Sequence, residues 1–177
     1  MSDRRTYPDE PAGPFPSPPV EFQDREDRQI VIRSYRPDDF EDLVSMYVTF
    51  DPSDRAQGIP PATETEIERW LDRILGDGVD VIAEHDDRVV GHATLVPDGN
   101  GGAELAIFVH QDYQNAGIGT DLIRCLLGRG SEAGFDRIWL TVERWNHPAI
   151  RLYESVGFAS TNIESFELEM TIRLAEK

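Results

Sequence analysis

Apolar positions along the chain recur with two periods, and the changes of period lay out the elements. Residues 30–35, opening Ile30-Val31-Ile32, read as a strand. Pro37-Asp38-Asp39 then opens a helix in which Phe40, Leu43, Val44 and Tyr47 recur at i, i+3, i+4 and i+7. Residues 51–62 form a long loop rich in turn formers, with Gly58-Ile59-Pro60-Pro61 inside it. Thr63 and Glu66 fit a capping box at the head of a second helix, which gathers Ile67, Trp70, Leu71 and Ile74 on one face and stops at Gly76. Strands at 79–84 and 88–96 flank Asp86-Asp87, a hairpin turn, and a further turn at 97–102 leads to an apolar strand at 103–109. Three successive strands joined by turns predict an antiparallel meander. A helix at 117–132 turns Ile118, Leu122, Ile123, Leu126 and Leu127 inward. A strand at 137–142 follows, then a short helix at 148–156 with Ala149, Leu152, Tyr153 and Val156 on one stripe. Gly157 ends that helix, and 158–163 with 166–174 read as a closing hairpin. The expected fold is α/β of the mixed α+β kind: one mixed sheet of about seven strands flanked by about four helices.

Composition narrows the setting. The chain has 177 residues, 39% of them hydrophobic, enough for one core without disulfides or metal. The formal charge is −17, which argues against nucleic acid and against anionic membrane as partners. No apolar run approaches the roughly 18 residues of a membrane span, and residues 1–19 lack the apolar stretch of a signal peptide. One cysteine, Cys125, fits a reducing cytoplasm, so a soluble cytoplasmic protein is expected. Six of the twelve prolines fall in residues 1–28 among charges and few aliphatics, and this segment is expected to be a disordered, proline-rich acidic tail ahead of a folded domain at 29–177. The basic side is lopsided: Lys177 is the only lysine and the rest are arginine. That balance resembles proteins from cells with molar salt, where screening mutes carboxylate repulsion; arginine codons of a high-GC genome would also produce it.

The stretch that carries chemistry is Ala103-Glu104-Leu105-Ala106-Ile107-Phe108-Val109, continuing through Gln114-Asn115-Ala116-Gly117-Ile118-Gly119-Thr120. A strand runs into a loop with Gln114-x-x-Gly117-x-Gly119 and directly into a helix. Glycines there let backbone N–H groups converge on an anion, and the helix N-terminus adds partial positive charge. The lysine and hydroxyl pair of a P-loop is missing, and so is the strand–glycine order of a dinucleotide fingerprint. Plain helix capping would also account for such a loop. A second element, Asn146-His147-Pro148-Ala149 through Tyr153 to Gly157-Phe158, follows the next strand.

Together these elements resemble the GNAT superfamily of N-acetyltransferases, and within it the bacterial and archaeal protein-lysine acetyltransferases, over roughly residues 30–174. The resemblance implies a splayed sheet with acetyl-CoA as co-substrate and no metal. The split lies between the strand ending near Val109 and the strand at 137–142. Pantetheine would pair with the free edge at Phe108 and Val109 and be held by Asn146. Pyrophosphate would rest on Gln114, Asn115, Ala116, Gly117, Ile118, Gly119 and Thr120. Many relatives carry Arg or Lys at the position of Ala116, so one phosphate contact is missing there. The acceptor amine, with a reference pKa near 10.4, must lose a proton before it attacks the thioester. The resemblance assigns that base role to Glu104, and Tyr153 is placed to protonate the departing thiolate.

Each residue also has a structural reading. Glu104 could face solvent, Tyr153 could simply pack, and Asn146 could cap the helix at Pro148. His110 and Glu143 are the alternative bases at strand ends. Cys125 reads as packing, and the four histidines lack metal-ligand spacing. The leading function is acetyl transfer to a protein lysine. The alternatives are transfer to a small amine (polyamine, amino acid or drug) and a non-catalytic acyl-CoA-binding regulatory module. The acceptor identity and the oligomeric state, a homodimer included, stay open.

Overall fold

A computed structural model describes residues 5–55, 58–161 and 167–175. In chain order its elements are β1 (Val20–Gln23), β2 (Gln29–Ser34), α1 (Phe40–Val48), α2 (Glu64–Ile74), β3 (Val79–His85), β4 (Arg88–Pro97) and β5 (Ala103–Val109). Then come α3 (Ile118–Glu132), β6 (Arg137–Glu143), α4 (His147–Val156), β7 (Ala159–Ser160) and β8 (Glu167–Arg173). All eight strands share one sheet in the order β1-β2-β3-β4-β5-β6-β8-β7. Every neighbouring pair is antiparallel except β5 and β6, whose parallel pairing needs the crossover that α3 supplies.

The helices cover both faces because alternate strand residues are apolar on both sides. On one face α3 buries Leu122, Ile123 and Leu126 completely against Leu95, Leu105 and Ile138. Burying each such side chain stabilises the fold by about 1.5–3 kcal/mol. Tyr153 and Phe158 of the α4 end join that cluster. On the other face α1 and α2 close a second cluster of Leu43, Tyr47, Ile67, Trp70 and Leu71 over Ile82 and Phe108. Thr63 caps α2, accepting the Glu66 N–H at 3.3 Å as the sequence expects. Asp39, just ahead of α1, is buried and forked by the Arg33 guanidinium at 2.6 and 2.8 Å. Under the second cluster a buried chain runs from the Tyr47 hydroxyl to His92 Nδ1 (2.6 Å) and from His92 Nε2 to Asp80 (2.7 Å).

Two expectations change. The sheet has an eighth strand, β1, inside the segment expected to be a tail. Its turn to β2 is built by Asp24, whose carboxylate accepts the N–H groups of Glu26 and Arg28 and pairs with the Arg28 guanidinium at 2.8 Å. The described part of 1–28 therefore lies on the domain: Ala12 bridges to Leu174, and Phe15 packs on the core. Docking onto a surface already formed supplies the burial that this proline-rich stretch cannot make internally. In the closing hairpin only Ala159–Ser160 and Glu167–Arg173 are strands, and residues 162–166 lie outside the described set. No helix among the described residues is long and apolar enough to cross a membrane.

Candidate active site

β5 and β6 pair at only two positions, Ala103 with Ile138 and Glu104 with Trp139. Beyond Glu104 they diverge, so residues 105–109 keep an unpaired backbone edge toward β6. Phe108 and Val109 sit on that edge. The Phe108 ring itself turns into the α1–α2 cluster, edge-on to Tyr47 and Trp70 at 5.5 Å.

At the open end of the split the chain enters α3 through a loop with two left-handed residues, Asn115 (φ 61°) and Gly117 (φ 91°). Such alternation turns successive N–H groups to one side, and the first N–H groups of α3, from Ile118, Gly119 and Thr120 onward, have no partner within the helix. Gln114 is committed elsewhere: its side-chain amide donates to Val109 O and Asp54 Oδ2, each at 3.0 Å. Ala116 is buried, and its carbonyl accepts the Arg25 N–H at 3.0 Å. That bond brings the exposed Arg25 side chain over the loop, where a β-carbon on Gly117 would lie 3.8 Å from its Nε. Arg25 has no ion-pair partner among the described residues. Sequence reasoning missed this residue, because it lies in the segment expected to be a tail.

α4 closes the split from the α3 side. A β-carbon on Gly119 would touch Leu152 of α4 at 3.5 Å and Ile107 of β5 at 3.9 Å. Asn146 caps α4, accepting the Ala149 N–H at 3.3 Å, which leaves its amide N–H groups for other use. Tyr153 is buried, has no hydrogen-bond partner among the described residues, and burial alone pushes its phenol up to about 12. Glu104 belongs to the opposite face, as the register neighbour of Trp139 and on the same side of β5 as Phe108. Glu104 itself is exposed, as its structural reading allowed; the partial desolvation imposed by its neighbours still pushes its carboxyl above the ordinary carboxylate range, with Arg5 opposing the rise and Asp98 and Glu167 adding to it. Glu104 and Tyr153 thus lie on opposite faces of the sheet, Tyr153 in the α3-side core with its ring against Phe158.

Of the alternative bases, His110 is bonded to the Thr49 hydroxyl at 3.0 Å and accepts the Asp112 N–H, while Glu143 lies on the Glu104 face at the far end of β6, a register neighbour of Glu167 on β8. Cys125 is buried, with its thiol pushed up to about 11 by burial, and is packing. The Tyr47–His92–Asp80 chain behind Phe108 was also missed, since residues so far apart in sequence carry no local signal. It braces the aromatic floor under the edge.

A free strand edge thus runs into a loop of left-handed residues at the N-terminus of α3. Residues 40–158 match the model of the acetyltransferase (GNAT) family. The chain belongs to that family. It is 31% identical over 87 residues to an uncharacterized N-acetyltransferase of Mycobacterium tuberculosis, covering 49% of this chain and 56% of that protein, little more than half its length. The fold is similar to the GNAT domain of S. lividans PAT, with a TM-score of 0.75 and 18% identity over 88% of this chain and 97% of that one. It is also similar to a Salmonella typhimurium acetyltransferase-like protein solved with its cofactor acetyl-CoA, with a TM-score of 0.66 and 21% identity over 84% and 95%.

Proposed function

We propose that the chain is an acetyl-CoA-dependent N-acetyltransferase that passes acetyl directly to a primary amine, the side chain of a protein lysine. The observation that carries the reading is the split itself: an unpaired strand edge with an anion cradle at its open end and Glu104 at its apex. The residues present fit the co-substrate. The cradle at 115–120 and the Arg25 guanidinium suit a pyrophosphate, the edge at 105–109 suits the amides of pantetheine, and the Asn146 amide stands at the other wall.

When bound, acetyl-CoA supplies the activated thioester. Glu104 takes the proton from the acceptor ammonium, and a carboxyl raised above its ordinary range is a better match to a neutral-pH proton transfer than an ordinary one. Tyr153 remains protonated at neutral pH, so its O–H is available to the departing sulfur from the far face. Unpaired N–H groups of the edge can hold the carbonyl oxygen as charge builds on it. The carboxylates around Glu104 favour a cationic acceptor, and the surplus of acidic residues over the whole surface is read as adaptation to a cytoplasm rich in salt.

Mass spectrometry of peptides and small amines incubated with acetyl-CoA at molar KCl tests the activity. Glu104→Gln is expected to lower turnover at neutral pH about a hundredfold, with partial recovery at high pH where the amine is already neutral. Tyr153→Phe is expected to show a loss that alkali does not relieve. A Glu104→Gln profile identical to wild type removes Glu104 as the base.

A further inference from the structure

The first described residues of the chain lie across the Glu104 face of β6 and β8. Arg5 stacks on Trp139 with its guanidinium carbon 3.5 Å from the ring centroid, and its Nε donates to Glu169 at 3.1 Å. Its side chain is 24% exposed, so most of this cation is covered. Trp139 is the register partner of Glu104 and donates its indole N–H to Asp98 at 2.9 Å. An arginine of the chain itself therefore occupies a shelf of one aromatic ring and several carboxylates beside the expected base.

The backbone that carries Arg5 is held in a way that suits exchange. The Thr171 hydroxyl donates to the Thr6 carbonyl and the Arg173 Nε donates to the Pro8 carbonyl, each at 2.8 Å. The first backbone-to-backbone bond to β8 among the described residues comes only at Ala12, to Arg173 O. Among the described contacts, residues 5–8 are thus held by side-chain donors and by two cation–ring contacts, Arg5 on Trp139 and Arg137 over Tyr7 at 5.8 Å, rather than by a strand ladder. On the same face, across from Ala106 and so one alternation from Glu104, Thr94 has a buried hydroxyl with no hydrogen-bond partner among the described residues.

We propose that Trp139, Glu169 and Asp98 form the acceptor-recognition subsite beside Glu104, that it takes the positively charged flank of an extended peptide, and that Arg5 holds it in competition with that peptide. The inference rests on the acetyltransferase reading and names its acceptor class. Two kinds of complementarity select a peptide over a free polyamine. The ring and carboxylates answer a cation, as a stacked guanidinium requires. Thr171 and Arg173 offer donors to backbone carbonyls, which a polyamine lacks.

The test uses the full chain saturated with CoA and fluorescence anisotropy of a labelled peptide in which one lysine is flanked by arginines. A twin with glutamines in place of the arginines and unlabelled spermidine complete the set. Arg5→Ala is expected to bind the arginine peptide about tenfold more tightly than wild type, with CoA affinity unchanged. In the Arg5→Ala background, Trp139→Leu and Glu169→Gln are each expected to reverse that gain, and the glutamine twin is expected to bind weakly throughout. Equal affinity of wild type and Arg5→Ala overturns the competition, and equal affinity of the two peptides overturns the cationic subsite. Displacement of the peptide by spermidine at lower concentration than by unlabelled peptide overturns the choice of occupant. Absence of any acetylated product while this binding pattern holds brings down the catalytic reading and leaves the subsite standing.

Discussion

Gly128→Ala gives opposite signs for a docked and for a free N-terminal segment. Alanine is preferred over glycine inside a helix by about 0.8–1.0 kcal/mol. If residues 5–28 ran free in solvent, the substitution in α3 would therefore stabilise the protein, raising Tm by roughly 2–4 °C in a chain of this size. In the structure, however, the segment crosses α3 at this glycine. A β-carbon there would lie 2.0 Å from Pro16 O, 2.7 Å from Pro16 C and 3.0 Å from Phe15 O. Those are backbone atoms and cannot swing aside as a side-chain tip can, so the segment must lift and take Phe15 off the core. Overpacking of this kind costs about 3 kcal/mol at the upper end of its range. After the gain in helix propensity a net loss of about 2 kcal/mol remains, or a fall in Tm of roughly 4–8 °C. Circular dichroism melts at one fixed salt concentration read the difference. Gly76→Ala, where a β-carbon meets nothing, serves as the control. A Tm for Gly128→Ala above wild type would refute the docked segment.

Other perturbations probe the cradle, the acid response and the charge. Gly117→Val forces a β-branched residue to φ 91°, and it is expected to stay folded yet lose most of the Tm rise that CoA gives wild type. That rise should be roughly 5–11 °C at a hundred times the dissociation constant, from about 2.7 kcal/mol of linkage. Arg25→Ala removes an exposed side chain without an ion-pair partner among the described residues, so Tm without ligand should hold while CoA binds about fivefold to tenfold more weakly by calorimetry. Asp39→Asn breaks the fork with Arg33 and should cost about 2–4 kcal/mol in urea melts at neutral pH. The hydrogen bond from Arg33 holds the Asp39 carboxyl below its ordinary range, so its contribution is complete above pH ~4 and drains away as pH falls through the lowered value. The difference between wild type and Asp39→Asn should shrink accordingly in acid. Lowering KCl from molar to about 0.1 M lengthens the screening distance from about 3 to 10 Å, and with a net charge of −17 the wild-type Tm should fall; equal Tm in both buffers counts against salt adaptation.

Where local rules act alone, the sequence was a good guide. The apolar stripes of α1, α2 and α3 agree with the helices to within a residue or two, because each stripe has one core face to satisfy and a recognisable start or stop. The Asp86-Asp87 turn was legible for a similar reason: both residues take positive φ, which aspartate tolerates better than most. β1 was not legible. Four residues after a run of prolines give too little alternation to outweigh their composition, and only pairing with β2 makes Val20–Gln23 a strand. A signal for the docked segment ahead of it did exist on α3. Gly128 and Gly130 in mid-helix lower helix propensity without a local reason, and at Gly128 the reason is the close approach of Pro16.

The site divides along the same line. The glycine loop and the strand before it are contiguous, so their joint chemistry could be read from spacing, and the two-residue pairing of β5 with β6 supplies the split that the family resemblance implied. What could not be read came from far along the chain. Ala116 looks like a lost phosphate contact only while its neighbours in sequence are considered; in space its carbonyl anchors Arg25, and a guanidinium returns to the loop from the other side. Arg5 does the corresponding thing at the Trp139 end. Both arginines belong to the proline-rich segment whose composition argued for disorder. That argument weighs what a segment can bury by itself, and it fails where the segment lies on a finished, acidic surface and lays positive charge at both ends of the split.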